Sequence, residues 1–512
     1  MADMLDATWL LRAHARRRLL RLGAGDAQRL QTGILLSLIR RAAATRFARD
    51  HDLAGVRTID DYRARVPVRS HDDFWDDYWS RDFPRLVNCT WPGLVPWFAE
   101  TSGTTRGTTR FIPFTREMNR SNRRAAGDLL VWHVINRPRS RILAGRVFIL
   151  GGSTGLEQRA PGVTSGDLSG ITASVMPRWA RLRSFPPRHL EAISDWNVKI
   201  DRFASASLGQ PIHAVCGVPS WLLIYFDHLL EISHAADGRI ASVYPGLELL
   251  VHGGVSWAPY RERFAALLEG SHAETREVYA ASEGFFAMAD RGADAGLRLQ
   301  LDNAMFFEFA PLDGQRVRTE ACRWIGDVEE GVNYALVVST AAGLWRYLVG
   351  DTVTFTTLDP PRIRFTGRTA HMLSAFGEHV IVAELEEAVS GAARAIGATV
   401  SDFAVGSIFS SRAGERGNHL YVIEFSEPSI DEGRMGSFAA SLDRILQSVN
   451  ADYAAHRAGG WGMDPPRIEV MPSGGFAAWM AAQGKLGGQH KVPRVIADQA
   501  RLDALRDFAR RA

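Results

Sequence analysis

The stretch from Leu297 to Gly367 limits the folds open to this chain more than any other part of it. LRLQLDNAMFFEFAP, NYALVVST, GLWRYLVGDTVTFTTL and RIRFTG are short runs that alternate or are rich in β-branched and aromatic residues, with turn-forming residues between them. Apolar side chains at period two belong to strands, so residues 297–366 are expected to form a sheet or a barrel. The flanking segments carry other signals. Residues 1 to about 75 read as helices: Leu30, Ile34, Leu35, Leu38 and Ile39 follow one helical face, and TIDDYRARVP offers Thr58 as the N-cap of a short helix that Pro67 closes. GRVFILGG, residues 145–152, reads as a buried strand, and strand and helix signals then alternate to about residue 290. After Gly367 helices are expected at Val382 to Ala393 and Arg434 to Ser448, with strands near Phe403 to Ile408 and Leu420 to Phe425.

At 512 residues the chain exceeds the roughly 250–300 residues that one hydrophobic core organises. Two domains are therefore expected, over 1–370 and 371–512. The fold class is α/β: a large N-terminal domain with αβ-layered subdomains and a β-barrel-like subdomain, and a smaller, mobile α/β C-terminal domain.

The 60 basic and 57 acidic side chains nearly cancel, giving a formal charge of +3, which excludes an argument for a nucleic-acid partner. The one dense basic stretch, Arg12 to Arg21, lies in a helical pattern and reads as a solvated helix face or as a helix touching an anionic surface. No run of 18 apolar residues occurs and no cleavable leader pattern opens the chain. We expect no membrane partner and a cytoplasmic protein. Cys89, Cys216 and Cys322 stand far apart with no metal-ligand spacing, so isolated buried thiols in a reducing compartment are expected.

Five short segments carry candidate chemistry. ETSGTTRGTTR, Glu100 to Arg110, packs glycines and hydroxyls into a loop whose amide N–H groups can cradle phosphate oxygens, although it lacks the Lys-Ser/Thr pair of a Walker loop and also reads as a polar connection. VHGGVSWAPYRERFAALL followed by EVYAASEGFF reads as a Gly-Gly turn, a helix and a strand ending at Glu283. A carboxylate there can hold magnesium, which takes oxygen ligands and bridges phosphates; a surface Glu is the plainer reading. WRYLVGDTVTF places Asp351 in a turn between strands, where an acid can accept both hydroxyls of a ribose or simply form the turn. FTGRTAHML carries Arg368 at the expected boundary. GGQHKVPR carries Lys491 in a glycine-rich tract, where a mobile cation can neutralise charge developing on a phosphate or merely sit in solvent.

In this order the motifs resemble the adenylate-forming superfamily of acyl-CoA synthetases, peptide-synthetase adenylation domains and luciferases. ETSGTT, YAASEG, LDNAMFFEFAP, LWRYLVGD, GEHVIVAELEEA and GQHKVPR, with the early TRFARDHDL and TIDDYRARVPVRSHDDF, are most similar to the Gretchen Hagen family of acyl acid amido synthetases. The resemblance covers nearly the whole chain. It implies that Thr101, Ser102, Gly103, Thr104, Thr105 and Gly107 hold phosphates, and that Gly253, Gly254, Tyr279, Ala280, Ala281 and Ser282 line the adenine and acyl phosphate. It further implies that Glu283 meets Mg²⁺, Asp351 the ribose, Arg368 the ribose or the domain junction, and Lys491 the adenylate-forming step. The lysine that commonly ends the first loop is Arg110 here, which keeps the charge and changes its geometry, so no role passes to it.

The activity so implied is ATP-dependent: a small carboxylic acid becomes an acyl-AMP with release of pyrophosphate, and an amino acid or other amine takes the acyl group as an amide. A carboxylate is a poor electrophile because its charge repels nucleophiles, and a mixed anhydride with AMP removes that charge and supplies a leaving group. Positioning and charge neutralisation then do the catalytic work, in keeping with the absence of a GxSxG or catalytic-cysteine signature. An acyl-CoA ligase and a catalytically silent adenylate-binding protein are the competing readings; the latter is expected to have lost Glu283, Asp351 or Lys491. GDLSGITASVMPRW, residues 166–179, is the segment expected to contribute to an acyl pocket.

Overall fold

The computed structural model describes residues 5–23, 26–101, 109–152, 155–193, 195–235, 237–254, 257, 260–292, 295–313, 316–368, 372–378, 380–409, 416–427, 430–458, 462–483 and 492–511. Mixed α/β architecture divides into a large N-terminal and a smaller C-terminal domain. One thirteen-stranded sheet spans the large domain. Its first half is parallel: the strands Arg146–Leu150, Ile212–Gly217, Leu249–Gly253 and Glu274–Ala281 pair in that order. The first three are largely apolar because both faces are covered, whereas Glu274–Ala281 opens on four polar residues. Leu250 packs with Val215, Phe226 and Phe264 on one side, while Leu249 and Val251 pack with Leu129 and Val134 of the helix Arg116–Asn136 on the other.

At the turn after Glu274–Ala281 the sheet becomes antiparallel. Gly284–Met288, Leu297–Leu299, Pro361–Arg368, Tyr347–Leu358, Asn333–Thr340 and Met305–Asp313 follow in spatial order. This is the β-rich stretch legible in the sequence, and of the two forms left open there, sheet or barrel, the described strands make an open sheet. It curls strongly, because Tyr279 and Asp351 touch although their strands are four places apart. The concave side is filled by Phe286, Phe307, Phe309 and Phe355, together with Tyr62 and Trp79 from the N-terminal helices. Thr58 caps the helix Ile59–Arg65 through a reciprocal capping box with Asp61, as its spacing predicts.

Beyond residue 372 three strands, Val400–Ile408, Asn418–Phe425 and Arg467–Met471, form a separate small sheet. Alternation decides its two layers. Phe403, Val405, Tyr421 and Ile423 face the helices Val382–Ala395 and Glu432–Val449, while Ala404, Leu420 and Val422 face Gly475–Ala482 and Gln499–Arg511. None of the helices among the described residues is long and apolar enough to cross a membrane. The three cysteines are free. Only Cys89 is buried; Cys216, in the strand Ile212–Gly217, and Cys322, just ahead of the short strand Arg323–Trp324, are half-buried, which corrects the expectation of three buried thiols.

Candidate functional site

Ligands of open α/β sheets bind outside the carboxyl ends of the parallel strands, and several of the expected site residues lie there. Gly253 ends one parallel strand in register with Val278 of the next. A Cβ at Gly253 would sit 2.3 Å from the Val278 carbonyl oxygen, so only glycine permits this approach, and Gly254 turns the chain away at φ +86°. Three residues beyond Val278 the strand ends at Ala281. Ser282 and Glu283 form the tight turn at which the sheet changes from parallel to antiparallel. Ala280 is exposed and Ala281 and Ser282 are half-buried, but the Tyr279 ring is buried between Phe286 and Phe365.

The Tyr279 hydroxyl donates to Asp351 Oδ2 at 2.8 Å, and Arg368 Nε lies 3.2 Å from Asp351 Oδ1. Asp351 is not in a turn, as its Gly-Asp sequence implied, but inside the strand Tyr347–Leu358, facing Arg368 on the neighbouring strand. The correction has a local cause: Gly350 adopts φ +95° and the pairing register slips on both sides of this point, so the glycine marks a β-bulge that aims the acid inward.

Glu283 is the other acid of the cluster. Its Oε1 accepts from the Tyr347 hydroxyl at 3.3 Å. Desolvation raises its carboxyl to about 7, the nearby Asp351 charge adds to the rise, and Arg368 and Tyr347 oppose it. Burial, and then the Asp351 charge, push the Tyr279 hydroxyl well above its ordinary value, so it stays protonated and donates. Thr101 ends the strand Trp97–Thr101 and pairs directly with Arg110 across a hairpin. The Arg110 charge bears on the Tyr347 hydroxyl, so the base of this hairpin stands beside the Glu283 corner. Ser102, Gly103, Thr104, Thr105 and Gly107 of its loop, and Lys491, lie outside the described residues.

Sequence reasoning passed over two residues of the site. Tyr347 sits inside the LWRYLVGD motif, and nothing local in that motif reveals that its hydroxyl reaches an acid 64 residues away. His252, immediately before the Gly-Gly turn, is buried and stacked on Trp257 with ring centroids 3.6 Å apart. Burial alone lowers it to about 3, so it is neutral, and its Nδ1 has no hydrogen-bond partner among the described residues. In the segment 166–179, Gly166 pairs beside Ala99 and the helix Leu168–Ser174 packs near the site's strands. Trp179, at the end of that segment, is 67% exposed.

Three domain profiles of a single family match this chain in sequence: the GH3 family N-terminal domain over 20–153, central domain over 299–368 and C-terminal domain over 383–500. Together they take in well over half of it. The chain belongs to the GH3 family. An Arabidopsis thaliana relative, indole-3-acetic acid-amido synthetase GH3.4, is 27% identical over 287 residues, which cover 51% of this chain and 46% of the relative. A second, 4-substituted benzoates-glutamate ligase GH3.12 of the same plant, is 26% identical over 217 residues, 40% and 37% of the two chains. The match thus spans about half the length, or less, of these curated relatives. Among solved structures, GH3.15 acyl acid amido synthetase superposes with a TM-score of 0.59 at 16% identity, covering 99% of this chain and 96% of that one. A 2-hydroxyisobutyryl-CoA ligase superposes at 0.55 and 18% identity, covering 96% and 94%. At such identities the structures establish the fold this GH3 chain shares with adenylate-forming ligases.

Proposed function

We propose that this GH3-family chain is an ATP-dependent ligase: it converts a small carboxylic acid to an acyl-adenylate, releasing pyrophosphate, and passes the acyl group to the amino group of an amino acid, releasing AMP. The observation that carries the reading is the state of Glu283. A desolvated carboxyl raised to about 7 beside a second acid, with a 3.3 Å hydrogen bond from a phenol, is a group short of a cation.

Mg²⁺ fits that deficit. No cluster of three or more metal-ligating side chains exists among the described residues, and Mg²⁺ is commonly held by one or two carboxylates with substrate phosphates completing its shell. Glu283 would be its protein ligand, and the ion would neutralise phosphate charge. Asp351, fixed by Tyr279 and Arg368, keeps acceptor capacity for ribose hydroxyls. Gly253, Gly254 and the 279–282 segment would flank the adenine and acyl phosphate. The hydroxyl-rich loop from Thr101 through Ser102, Gly103, Thr104 and Thr105 to Gly107 would hold the triphosphate, and Lys491 would supply positive charge during adenylation.

In the first step a carboxylate oxygen attacks the α-phosphorus and pyrophosphate leaves; in the second the amine attacks the acyl carbon and AMP leaves. We place the domain boundary near residue 370, with 1–370 carrying nucleotide and acid and 371–512 the mobile partner. The free thiols agree with a cytoplasmic setting.

An acyl-CoA ligase shares the first step, and the fold it shares with 2-hydroxyisobutyryl-CoA ligase makes the acceptor the decisive test. Carboxylic acids are screened for pyrophosphate release with a mixture of amino acids, and products are identified by mass. With a competent acid, amino acids should raise AMP production and yield an amide, while coenzyme A gives no thioester. Thioester formation at a comparable rate would replace this reading.

A further inference from the structure

The basic stretch Arg12–Arg21, left open in the sequence between a solvated face and an anionic contact, gains a second element in the structure. The helix Thr8–Gly23 buries Ala15 and Arg18, and Arg18 is clamped by Asp128 at 2.7 Å. Its outer side is then fixed. At about 100° per residue Trp9, Ala13 and Leu20 fall in one narrow stripe, with Arg16 on one side and Arg17 and Arg21 on the other. Trp9 is 63% and Leu20 73% exposed.

The second element is the helix Arg178–Arg183, which turns Trp179 and Leu182, one turn apart, outward at 67% and 73% exposure. Arg183 joins the two elements, since its guanidinium donates to the Leu143 carbonyl and, at 2.7 Å, to the Leu5 carbonyl just ahead of the first helix. Leu5 is itself 81% exposed. Neither helix contains an acidic residue. Exposed Arg16, Arg17, Arg21, Arg178 and Arg188 make no ion pair among the described residues, and Asp6 and Glu191 already have partners: Asp6 in Arg141 and Thr8, Glu191 in Arg181.

Protruding tryptophans and leucines flanked by uncompensated guanidiniums are the surface chemistry of a helix lying in a lipid headgroup layer, where rings seat among acyl chains and cations meet phosphates. A second copy of this chain is the wrong occupant, because a two-fold contact sets arginines against arginines. We propose that this face, formed by residues 5–21 and 178–188, docks the protein peripherally on an anionic phospholipid bilayer. The expectation of no membrane partner rested on the absence of a spanning segment, and a surface contact needs none. The inference is independent of the ligase reading.

The test sediments the full chain with vesicles of phosphatidylcholine mixed with phosphatidylglycerol, and of phosphatidylcholine alone. Binding to the anionic vesicles alone, weakened by salt, is expected. Trp9→Ser with Trp179→Ser, and separately Arg16→Glu with Arg17→Glu, should each lower partitioning about tenfold or more with little change in the unfolding temperature, because these side chains are mostly exposed. Equal binding to neutral vesicles, or undiminished binding by both double variants, overturns the proposal. So does an oligomer by light scattering that the tryptophan variant dissociates while vesicle binding persists. Binding to duplex DNA but not to vesicles, lost in the arginine variant alone, would assign the patch to nucleic acid instead and overturn it equally.

Discussion

Two glutamates, one in each domain, are both desolvated and end in opposite states. Glu378, in the Gly-Glu turn that opens the C-terminal domain, is fully buried with His419. Burial alone would raise its carboxyl. Instead it accepts from His419 Nε2 at 2.9 Å and from the backbone N–H groups of Ala375 and Phe376 at 3.0 and 2.7 Å, and these hold it at about 2. Glu283 has a single backbone hydrogen bond from its own N–H, one phenol at 3.3 Å and a neighbouring acid, and desolvation raises it to about 7. A carboxylate whose lone pairs are met by the protein is a structural element; one left short by its own fold is a place for a cation. The comparison separates the two by the partners that each carboxylate finds.

The largest test breaks that separation at the level of function. Glu283→Ala and Asp351→Ala should each reduce acid-dependent ATP–pyrophosphate exchange by a thousandfold or more, about 4 kcal/mol in the barrier, with an unchanged circular-dichroism spectrum. Normal exchange in both variants would remove adenylation from consideration. Glu378→Ala should act in the opposite sense, on stability. Removing one partner of a buried pair costs about 3–5 kcal/mol because the other is left uncompensated, so chemical denaturation should show the C-terminal domain unfolding at a lower denaturant concentration. A variant as stable as the parent would mean that the pair is dispensable.

How much of this was legible in the sequence follows from how far each interaction reaches along the chain. The helix at Thr58, the strand around residues 146–150 and the β-rich stretch of 297–366 rest on period and capping, which neighbouring residues determine. The residues that meet at the site were found through the order of their motifs. Their geometry was not legible, since Tyr279 and Asp351 lie 72 residues apart and come together only because the sheet curls. Asp351 itself was misplaced in a turn for a physical reason: glycine at positive φ serves a bulge as well as it serves a turn, and only strand partners distinguish the two. His252 was missed because a single histidine beside a Gly-Gly pair has no local signature, and its stacking on Trp257 is a tertiary fact.

Stability against pH sharpens the contrast between the two acids. The folded-state carboxyl of Glu283 is raised from 4.5 to about 7, so its protonated form contributes stability that is present below pH 4.5 and lost as pH rises through 7. Glu283→Gln should therefore be more stable than the parent at pH 8 by about 2 kcal/mol, a figure kept below the full shift because the residue retains some contact with water, and should match it near pH 4.5. Thermal unfolding at the two pH values reads this directly. Saturating Mg²⁺ with nucleotide should erase the advantage at pH 8, because a bound cation favours the charged carboxylate. A Gln variant less stable at both pH values would place Glu283 with Glu378, as a satisfied acid.

The smallest effect belongs to Tyr347. Its hydroxyl is pushed well above its ordinary value by burial and then by the Glu283 charge, so it remains protonated and acts as a donor. A hydrogen bond donated to a carboxylate favours the charged form, and at 3.3 Å this one is long. Tyr347→Phe leaves the ring in the core between Phe74 and the sheet and removes only that donor. Glu283 should then ionise at higher pH by roughly half a unit, about 0.7 kcal/mol, and at limiting Mg²⁺ the pH midpoint of ATP–pyrophosphate exchange should move to alkaline values with the KM for the acid unchanged. The KM separates this outcome from loosened packing, which would impair acid binding as well. An unmoved midpoint would show that Tyr347 leaves Glu283 alone, and that desolvation and Asp351 set its ionisation without help from the phenol.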